Sequence, residues 1–166
     1  DQLIVDIDNA ATAEVYGIDT TASLQVSDQL SFRTAFVWLP KREYGDYIVS
    51  EDGKDLSGYE LPRAPEWSAL AAIAYLQPLA HYGELSARLE YSYRSGFFFT
   101  LDNLATEAQE AYGLLNLYLS YEPERGNWYA FASGRNLTDE DYFHQVFIQS
   151  APGYPDTYEV GVGVRF

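Results

Sequence analysis

The sequence predicts an all-β, antiparallel fold, and three observations support that prediction. Apolar residues recur at every second position along most of the chain, which gives a strand one apolar face. Aromatic residues make up 16% of the 166 residues and include 15 tyrosines, a composition that favours β-structure. The connections between the alternating segments are short and long in turn. Because this layout is typical of outer-membrane barrels, we predict a transmembrane β-barrel segment of about eight strands.

The alternation marks the strands in chain order. The predicted strands are Leu3–Ile7, Tyr16–Val26, Leu30–Trp38, Glu66–Leu76, Leu85–Tyr93, Leu115–Tyr121, Asn127–Gly134 and Tyr158–Phe166. The last is the clearest, because its even-numbered positions are apolar and its odd-numbered positions are glycine or charged. Glu66–Leu76 is alanine-rich and apolar on both faces, so a helix competes there. Pro65 and Pro78 bound that segment at strand length, which favours a strand.

The lengths of the connections distinguish the two ends of the predicted sheet. The short ones are Ser27–Gln29, Gln77–Gly83 and Glu122–Gly126, and the long ones are Pro40–Pro65, Thr100–Ala111 and Thr138–Asp156. We predict that the short turns and both chain ends face the periplasm and that the long loops face outside. The formal net charge is −15, and acidic residues are concentrated in the long loops. Such a surface disfavours nucleic acid and favours capture of a cationic or metal-bearing solute.

Charged residues within the predicted strands, or directly after them, fall on the face opposite the apolar one. They are Arg33, Arg88, Glu90, Arg94, Arg135, Glu159 and Arg165. In a membrane barrel the apolar face contacts lipid and the charged face lines the lumen, so we expect Val162→Arg to destabilise far more than Gly163→Ser. A soluble β-sandwich would also bury one face and wet the other, so the period alone does not separate the two. Aromatic residues gathered near strand ends match interfacial girdles and favour the barrel.

Catalytic and cofactor chemistry finds no support in the sequence. Cysteine is absent, and the two histidines are isolated from any nucleophile or metal-ligand motif. Asp139–Asp141 could offer oxygen ligands to a metal, but a solvated loop start is the stronger interpretation. Asn136 is expected to cap or turn the chain at that point. We therefore expect neither an enzyme nor a bound cofactor or metal.

Six stretches together resemble one known family. They are GRNLTDEDYF at Gly134–Phe143, PGYPDTYEVGVGVRF at Pro152–Phe166, LPRAPEW at Leu61–Trp67, YSYRS at Tyr91–Ser95, YGLLN at Tyr112–Asn116 and EVYGID at Glu14–Asp19. Their order, their spacing and the terminal phenylalanine are similar to the late barrel strands of TonB-dependent outer-membrane receptors. The resemblance covers nearly the whole chain, although such barrels have roughly 22 strands.

The resemblance implies a domain and a set of partners. It implies that residues 1–166 form the C-terminal portion of a receptor barrel. The stretch departs from the whole family pattern, because we find no plug domain, no TonB box and no signal peptide in it. Lipid, the remaining barrel with its plug, and indirectly TonB would be the partners, in a bacterial outer membrane. The implied function is TonB-energised uptake of a scarce large solute, such as an iron–siderophore, cobalamin or a glycan.

The resemblance also implies roles for individual residues. The terminal strand would be the signal that the barrel-assembly machinery reads, through Tyr158, Val160, Val162, Val164 and Phe166. The long loops could contact ligand through Tyr44, Tyr47, Tyr59, Tyr142 and Phe143. The charged lumen residues would face the plug, or would form cross-strand ion pairs within the barrel wall.

Other architectures remain open at this point. A small eight-stranded structural or adhesive outer-membrane barrel fits the length, and its interior would be filled by side chains. A soluble ligand-binding barrel would bury its apolar face inward. Pairing between Leu3–Ile7 and Tyr158–Phe166 would favour the small closed barrel, because closure removes both sheet edges.

Overall fold

The computed structural model describes residues 12–49, 53–146 and 149–166. Its strands are β1 (Ala13–Gln25), β2 (Leu30–Tyr44), β3 (Trp67–Pro78), β4 (Glu84–Arg94), β5 (Phe97–Phe98), β6 (Ala108–Gln109), β7 (Tyr112–Glu122), β8 (Trp128–Arg135), β9 (Phe143–Gln145), β10 (Ala151–Pro152) and β11 (Thr157–Val164). Seven of them form one antiparallel sheet in the order β1-β2-β3-β4-β7-β8-β11. The pairs β5–β6 and β9–β10 are small separate sheets in the long loops.

The predicted fold class is confirmed. Seven of the eight predicted strands are present, and the eighth, Leu3–Ile7, lies outside the described residues. The alanine-rich segment is a strand, because its backbone pairs with β2 and β4 along its length. Helical structure among the described residues consists of two single 3₁₀ turns, Ala80–Tyr82 and Ala105–Glu107. None of the described helices is long and apolar enough to cross a membrane.

One strand extends well beyond its predicted end. The sequence ended it at Trp38, before Pro40, but β2 continues to Tyr44. The pairing of β1 with β2 shifts between Tyr16 and Ile18, so that Gly17 alone opposes Leu39 and Pro40. Such a bulge accepts a proline, which has no N–H for the ladder. A Cβ atom on Gly17 would lie 1.9 Å from the Trp38 carbonyl oxygen, so this close approach requires glycine.

The two faces of the main sheet differ sharply in chemistry. One row across all seven strands contains Leu24, Phe32, Ile73, Leu89, Leu117, Gly134 and Tyr158. A neighbouring row on the other face contains Ser23, Arg33, Ala72, Glu90 and Asn116. The apolar face is left uncovered by the described residues; Leu24 is 59% exposed and Val160 83%. An apolar surface of this extent is a contact surface, and its alternation is that of a lipid-facing barrel wall.

The predicted division into turns and loops is also confirmed. The short turns 26–29, 79–83 and 123–127 join strands at one end of the sheet. The long connections lie at the other end, and we name them loop 1 (45–66), loop 2 (95–111) and loop 3 (136–156). Two small clusters of buried apolar side chains centre on these loops and not on the sheet. The loops are therefore packed structures with their own cores.

Among the described residues, each outer strand of the sheet has one edge without a partner strand. Strands β1 and β11 stand at opposite ends of the strand order, and within the described part of the chain they do not pair with each other. A small closed barrel needs its first and last strands to pair, because unpaired backbone groups in lipid each cost several kcal/mol. The predicted first strand, Leu3–Ile7, lies outside the described residues, so its pairing with Tyr158–Phe166 is untested. The described strands by themselves form an open wall.

Candidate functional site

The polar face of the sheet and the three loops above it form the candidate functional site. The register places the charged residues predicted for the lumen, Arg33, Arg88, Glu90, Arg94, Arg135 and Glu159, on this face. Arg165 follows β11 and contacts Glu122 of the same face. Contact with a plug stays a prediction for all seven.

These arginines fall into two groups. Arg88 pairs with Glu90 on the same strand, and Arg165 pairs with Glu122. Arg33, Arg94 and Arg135 form no ion pair with any described residue. Arg94 and Arg135 are each the last residue of their strand, at the loop end of the sheet, and both are exposed. Within the described part of the chain, the guanidinium groups of Arg94 and Arg135 thus have no ion-pair partner.

The described residues of loop 1 pair with one another around a core of their own. Tyr44, Tyr47 and Leu56 are 8%, 5% and 1% exposed and pack together. The Tyr44 N–H donates to the Tyr59 carbonyl at 2.9 Å, and the Leu56 N–H donates to the Tyr47 carbonyl at 2.8 Å. Ligand contact by Tyr44, Tyr47 and Tyr59 stays a prediction, but the burial of the first two favours a supporting role beneath the loop surface. In the sequence, the aromatic residues of this loop indicated a surface for ligand contact. They could not reveal that two of them form a buried loop core.

The base and tip of loop 1 are held by polar contacts that the sequence did not reveal. Arg42 is largely buried and donates to the Ala64 carbonyl at 2.8 Å and to the Glu60 carboxylate at 2.9 Å. Near the tip, hydrogen bonds from the Ser57 hydroxyl and backbone N–H hold the pKa of Asp55 below its ordinary value. Each loop end is thereby fixed by a charged side chain with satisfied partners.

Loop 2 is fastened to loop 1. Asn103 and Glu60 exchange two hydrogen bonds: the Glu60 N–H donates to Asn103 Oδ1 at 2.7 Å, and Asn103 Nδ2 donates to the Glu60 carbonyl at 3.0 Å. Lys54 forms an ion pair with Asp102. Asn103 has a φ of 51°, in the left-handed region that asparagine tolerates. In the sequence, only the turn-favouring pair Asp102–Asn103 pointed to a tight turn here, and it did not identify Glu60 as the partner.

Loop 3 is fastened to loop 2. Gln109 is 5% exposed, and its Oε1 accepts the Phe143 N–H at 2.7 Å. Phe97 and Phe99 of loop 2 pack with Val146 of loop 3 in the second buried cluster. The three loops therefore form one connected layer.

Asn136 organises the start of loop 3, as its expected role as a cap or turn residue requires. It is 4% exposed and has a φ of 50°. Its Nδ2 donates to the Glu140 and Tyr154 carbonyls at 3.0 and 3.1 Å, and its Oδ1 accepts the Glu140 N–H at 2.9 Å. One buried side chain thus joins both ends of loop 3.

A chain of aromatic rings runs through loop 3 and ends on Tyr112 of β7. Tyr142 stacks on Tyr112 with centroids 4.9 Å apart, and His144 stands edge-on to both Tyr142 and Tyr154 at 5.2 Å. A Cβ on Gly153 would lie 2.3 Å from the Tyr142 ring, so the backbone there approaches the ring closely. The neighbouring Phe143 is 41% exposed. Ligand contact by Tyr142 and Phe143 stays a prediction.

Tyr142 borders two cavities. One, of about 450 Å³, is lined by Arg94, Tyr112, Tyr142 and His144 among others. The other, of about 500 Å³, is lined by Arg135, Asn136, Tyr142 and Tyr154 among others. A larger cleft of about 650 Å³ lies on the polar side toward the short turns, where serines and Arg88 contribute to its lining. The described residues include no group of three or more His, Asp or Glu side chains that could hold a metal ion.

The terminal strand presents its apolar side chains outward. Tyr158, Val160, Val162 and Val164 are all more than half exposed on the apolar face, and Phe166 follows the strand. On the other face, Gly161 and Gly163 lie beneath the rings of Phe131 and Tyr129. Recognition of this strand by the barrel-assembly machinery stays a prediction.

Solved structures of larger proteins share this fold. The ferric yersiniabactin uptake receptor FyuA from Yersinia pestis matches 93% of this chain with a TM-score of 0.78 and 18% identity. The siderophore receptor PiuA from Acinetobacter baumannii matches 90% with a TM-score of 0.74 and 15% identity. The ferric-catecholate import receptor Fiu from E. coli K12 matches 92% with a TM-score of 0.66 and 18% identity. The chain spans 24%, 21% and 21% of those three chains.

A family assignment follows from the sequence match. The family described as "TonB dependent receptor-like, beta-barrel" matches residues 4–137, which is most of the chain. The match covers β1 through β8, and therefore both the polar wall and the first two loops. That family consists of bacterial outer-membrane transporters and not of enzymes, and this chain belongs to it.

Proposed function

We propose that the receptor containing this chain imports a ferric siderophore across the outer membrane, energised by TonB. The chain supplies the C-terminal part of the barrel wall and the late extracellular loops. The observation that carries this proposal is the connected loop layer directly above a polar wall with two cavities bordered by Tyr142. A solute arriving from outside would meet these loops first. The names of the three structurally similar receptors, all concerned with siderophores, support the same class of solute.

The two faces and two edges of the sheet suggest its neighbours. The apolar face would contact outer-membrane lipid, and the polar face with its cleft would contact a plug. Strands from the rest of the receptor would pair with the free edges of β1 and β11. The outward side chains of β11 would be read by the barrel-assembly machinery before that pairing forms.

Accumulation of labelled iron in whole cells tests the proposal. Cells lacking their own siderophore receptors would express the full-length receptor, with and without TonB, and receive a panel of ferric siderophores. We expect accumulation of at least one complex in the presence of TonB and none in its absence. Equal accumulation without TonB would contradict active transport.

A loop replacement tests the role assigned to this part of the chain. Tyr44 and Tyr59 are already hydrogen-bonded across the base of loop 1, so a short Gly–Ser link in place of residues 46–58 should close without disturbing β2. We expect normal surface abundance of the receptor and a loss of uptake. Normal uptake by the shortened receptor would remove loop 1 from the ligand path and would leave transport itself standing.

A further inference from the structure

We propose that a notch on the apolar face of the sheet, beside the start of loop 3, holds one acyl chain of an outer-leaflet membrane lipid. The notch has a volume of about 180 Å³, and the surface that it exposes is entirely apolar. The side chains around it are those of Leu117, Leu119, Ala132, Leu137, Tyr158 and Val160. The inference concerns the outer surface of the barrel wall and is independent of the solute that the receptor imports.

The register of three strands forms the floor and the two sides of the notch. Ala132 of β8 lies between Leu119 of β7 and Val160 of β11, in one row of the apolar face. Its short side chain leaves a recess between two longer ones. In the next row toward loop 3, Gly134 lies between Leu117 and Tyr158 and has no side chain at all.

Leu137 closes the notch at its loop end. Strand β8 ends at Arg135, and the left-handed φ of 50° at Asn136 redirects the chain. The Leu137 N–H then donates to the Leu115 carbonyl at 2.8 Å. A Cβ atom on Gly134 would lie 2.5 Å from Leu137 Cδ2, so Leu137 lies over Gly134 on the apolar face. The recess therefore ends at Leu137 and continues only over Ala132.

The location of the notch decides what fills it. The chain belongs to a family of outer-membrane proteins, and the notch opens on the apolar face near the long loops. Water has no polar partner there, so it does not fill an apolar recess. An empty recess would forfeit the dispersion contacts of its lining. A hydrocarbon chain supplies those contacts, and the membrane lipid around the barrel presents such chains to this face.

Close packing, and not hydrophobicity, distinguishes the notch from the rest of the apolar face. Inside a bilayer one apolar surface attracts lipid about as well as another, so retention depends on van der Waals contact. A chain in the notch would contact Ala132 beneath it and Leu119 and Val160 beside it. About ten additional carbon–carbon contacts would give about a five-fold preference for the notch over a flat part of the face.

Photolabelling of the full-length receptor tests the inference. The receptor is folded into phosphatidylcholine vesicles that contain a trace of phosphatidylcholine with a diazirine on one acyl chain. After illumination, mass spectrometry of peptides compares the label at the notch with the label around Leu89, elsewhere on the apolar face. We expect about five-fold more label at the notch, as the packing preference requires.

Two variants fill the notch to different extents. Ala132→Trp should reduce the label at the notch to the level around Leu89, and Ala132→Val, which adds less volume, should reduce it partly. Ala87→Trp is the matched control, because Ala87 is an alanine of the same face that pairs with Leu119 but does not line the notch. We expect the control to leave the label at the notch unchanged. Ala132→Val, a small change that suits a strand, keeps the test valid if the tryptophan variant does not fold.

Three outcomes would overturn the inference. Equal label at the notch and around Leu89 in the native receptor would mean that lipid does not distinguish the notch. Label that neither Ala132 variant lowers, or that Ala87→Trp lowers equally, would mean that the chain lies elsewhere on the face. Cross-links between two receptors at the notch, in place of lipid label, would assign it to a second copy of the receptor. None of these outcomes bears on uptake of the solute.

Discussion

Arg165 and Glu122 form a bidentate ion pair that reaches across the strand between them. Arg165 Nη1 lies 2.9 Å from Glu122 Oε2, and Nη2 lies 2.7 Å from Oε1. Arg165 follows β11 and Glu122 ends β7, so the pair passes over β8. There the guanidinium lies 5.3 Å from the centre of the Tyr129 ring. The terminal strand is thereby fixed on the polar face at the short-turn end.

The first prediction concerns this ion pair. Arg165→Gln and Glu122→Gln should each lower the urea midpoint of the receptor slightly, because exposed pairs contribute little. The double variant should lose no more than the larger single loss, since both changes remove the same interaction. Arg125→Gln, in the neighbouring exposed turn, is the control and should have no effect. Additive losses in the double variant would mean that the pair is not coupled.

The second prediction concerns Gly163 and Tyr129. A Cβ on Gly163 would lie 2.3 Å from the Tyr129 ring, so Gly163→Ala must displace the ring and its contact with Arg165. We expect Gly163→Ala to lower the free energy of unfolding in lipid vesicles in the native background. The same change in a Tyr129→Ala background should cost much less, because the space is then open. Equal costs in the two backgrounds would contradict the packing described.

These two features show what the sequence could predict and what it could not. Alternation in β11 correctly assigns its side chains to two faces, because neighbouring side chains on a strand must alternate. It does not reveal which ring covers which glycine, since that depends on the register with β8. Gly163→Ser is accordingly harder to accommodate than the alternation alone indicated.

The candidate site divides in the same way. The lumen arginines follow from alternation and were predicted. The burial of Tyr44 and Tyr47 and the contacts of Asn103 and Gln109 depend on how distant loops meet. Loop aromatics look alike in sequence whether they face a ligand or a loop core, because both environments favour them. The sequence therefore indicated the correct loops but could not separate surface residues from buried ones.

The third prediction tests the apolar face. Val162 is 71% exposed on that face, opposite Ala130 of β8. Val162→Arg should cost about 2–4 kcal/mol if the position lies near the bilayer midplane. Thr21→Arg, on the polar face of β1, is the matched control and should cost much less. Folding titrations in lipid vesicles measure both, and equal penalties would mean that the apolar face does not contact lipid.

The fourth prediction concerns pH. Because hydrogen bonds from Ser57 lower the pKa of Asp55 in the folded loop, its contribution to stability is complete above the unfolded value of about 3.9. That contribution is lost as the pH falls through the lowered folded value. Loop 1 should therefore become more susceptible to an acid protease below about pH 4. Asp55→Asn, which cannot ionise, should remove this step in the cleavage profile; an unchanged step would assign it to another group.

The last prediction concerns Asn136, whose side chain joins both ends of loop 3. Asn136→Ala removes the three hydrogen bonds of a side chain that is 4% exposed, and it leaves the Glu140 and Tyr154 carbonyls without these donors. Such a loss costs about 1–3 kcal/mol per unsatisfied buried group. We expect faster hydrogen exchange throughout loop 3, with the exchange of β3 and β4 unchanged.

Two further variants separate the causes of that loss. Asn136→Gly loses the same hydrogen bonds as Asn136→Ala, but glycine adopts a φ of 50° without strain. The glycine variant should therefore increase exchange in loop 3 less than the alanine variant, and the difference reports the backbone strain. Asn136→Asp keeps the acceptor for the Glu140 N–H but turns a carboxylate oxygen toward the Glu140 and Tyr154 carbonyl oxygens, so it should be at least as damaging as the glycine variant. Asn127→Ala, in an exposed short turn, is the control. If glycine restored native exchange in loop 3, strain and not hydrogen bonding would explain the role of Asn136, because the two variants differ only in the Cβ atom.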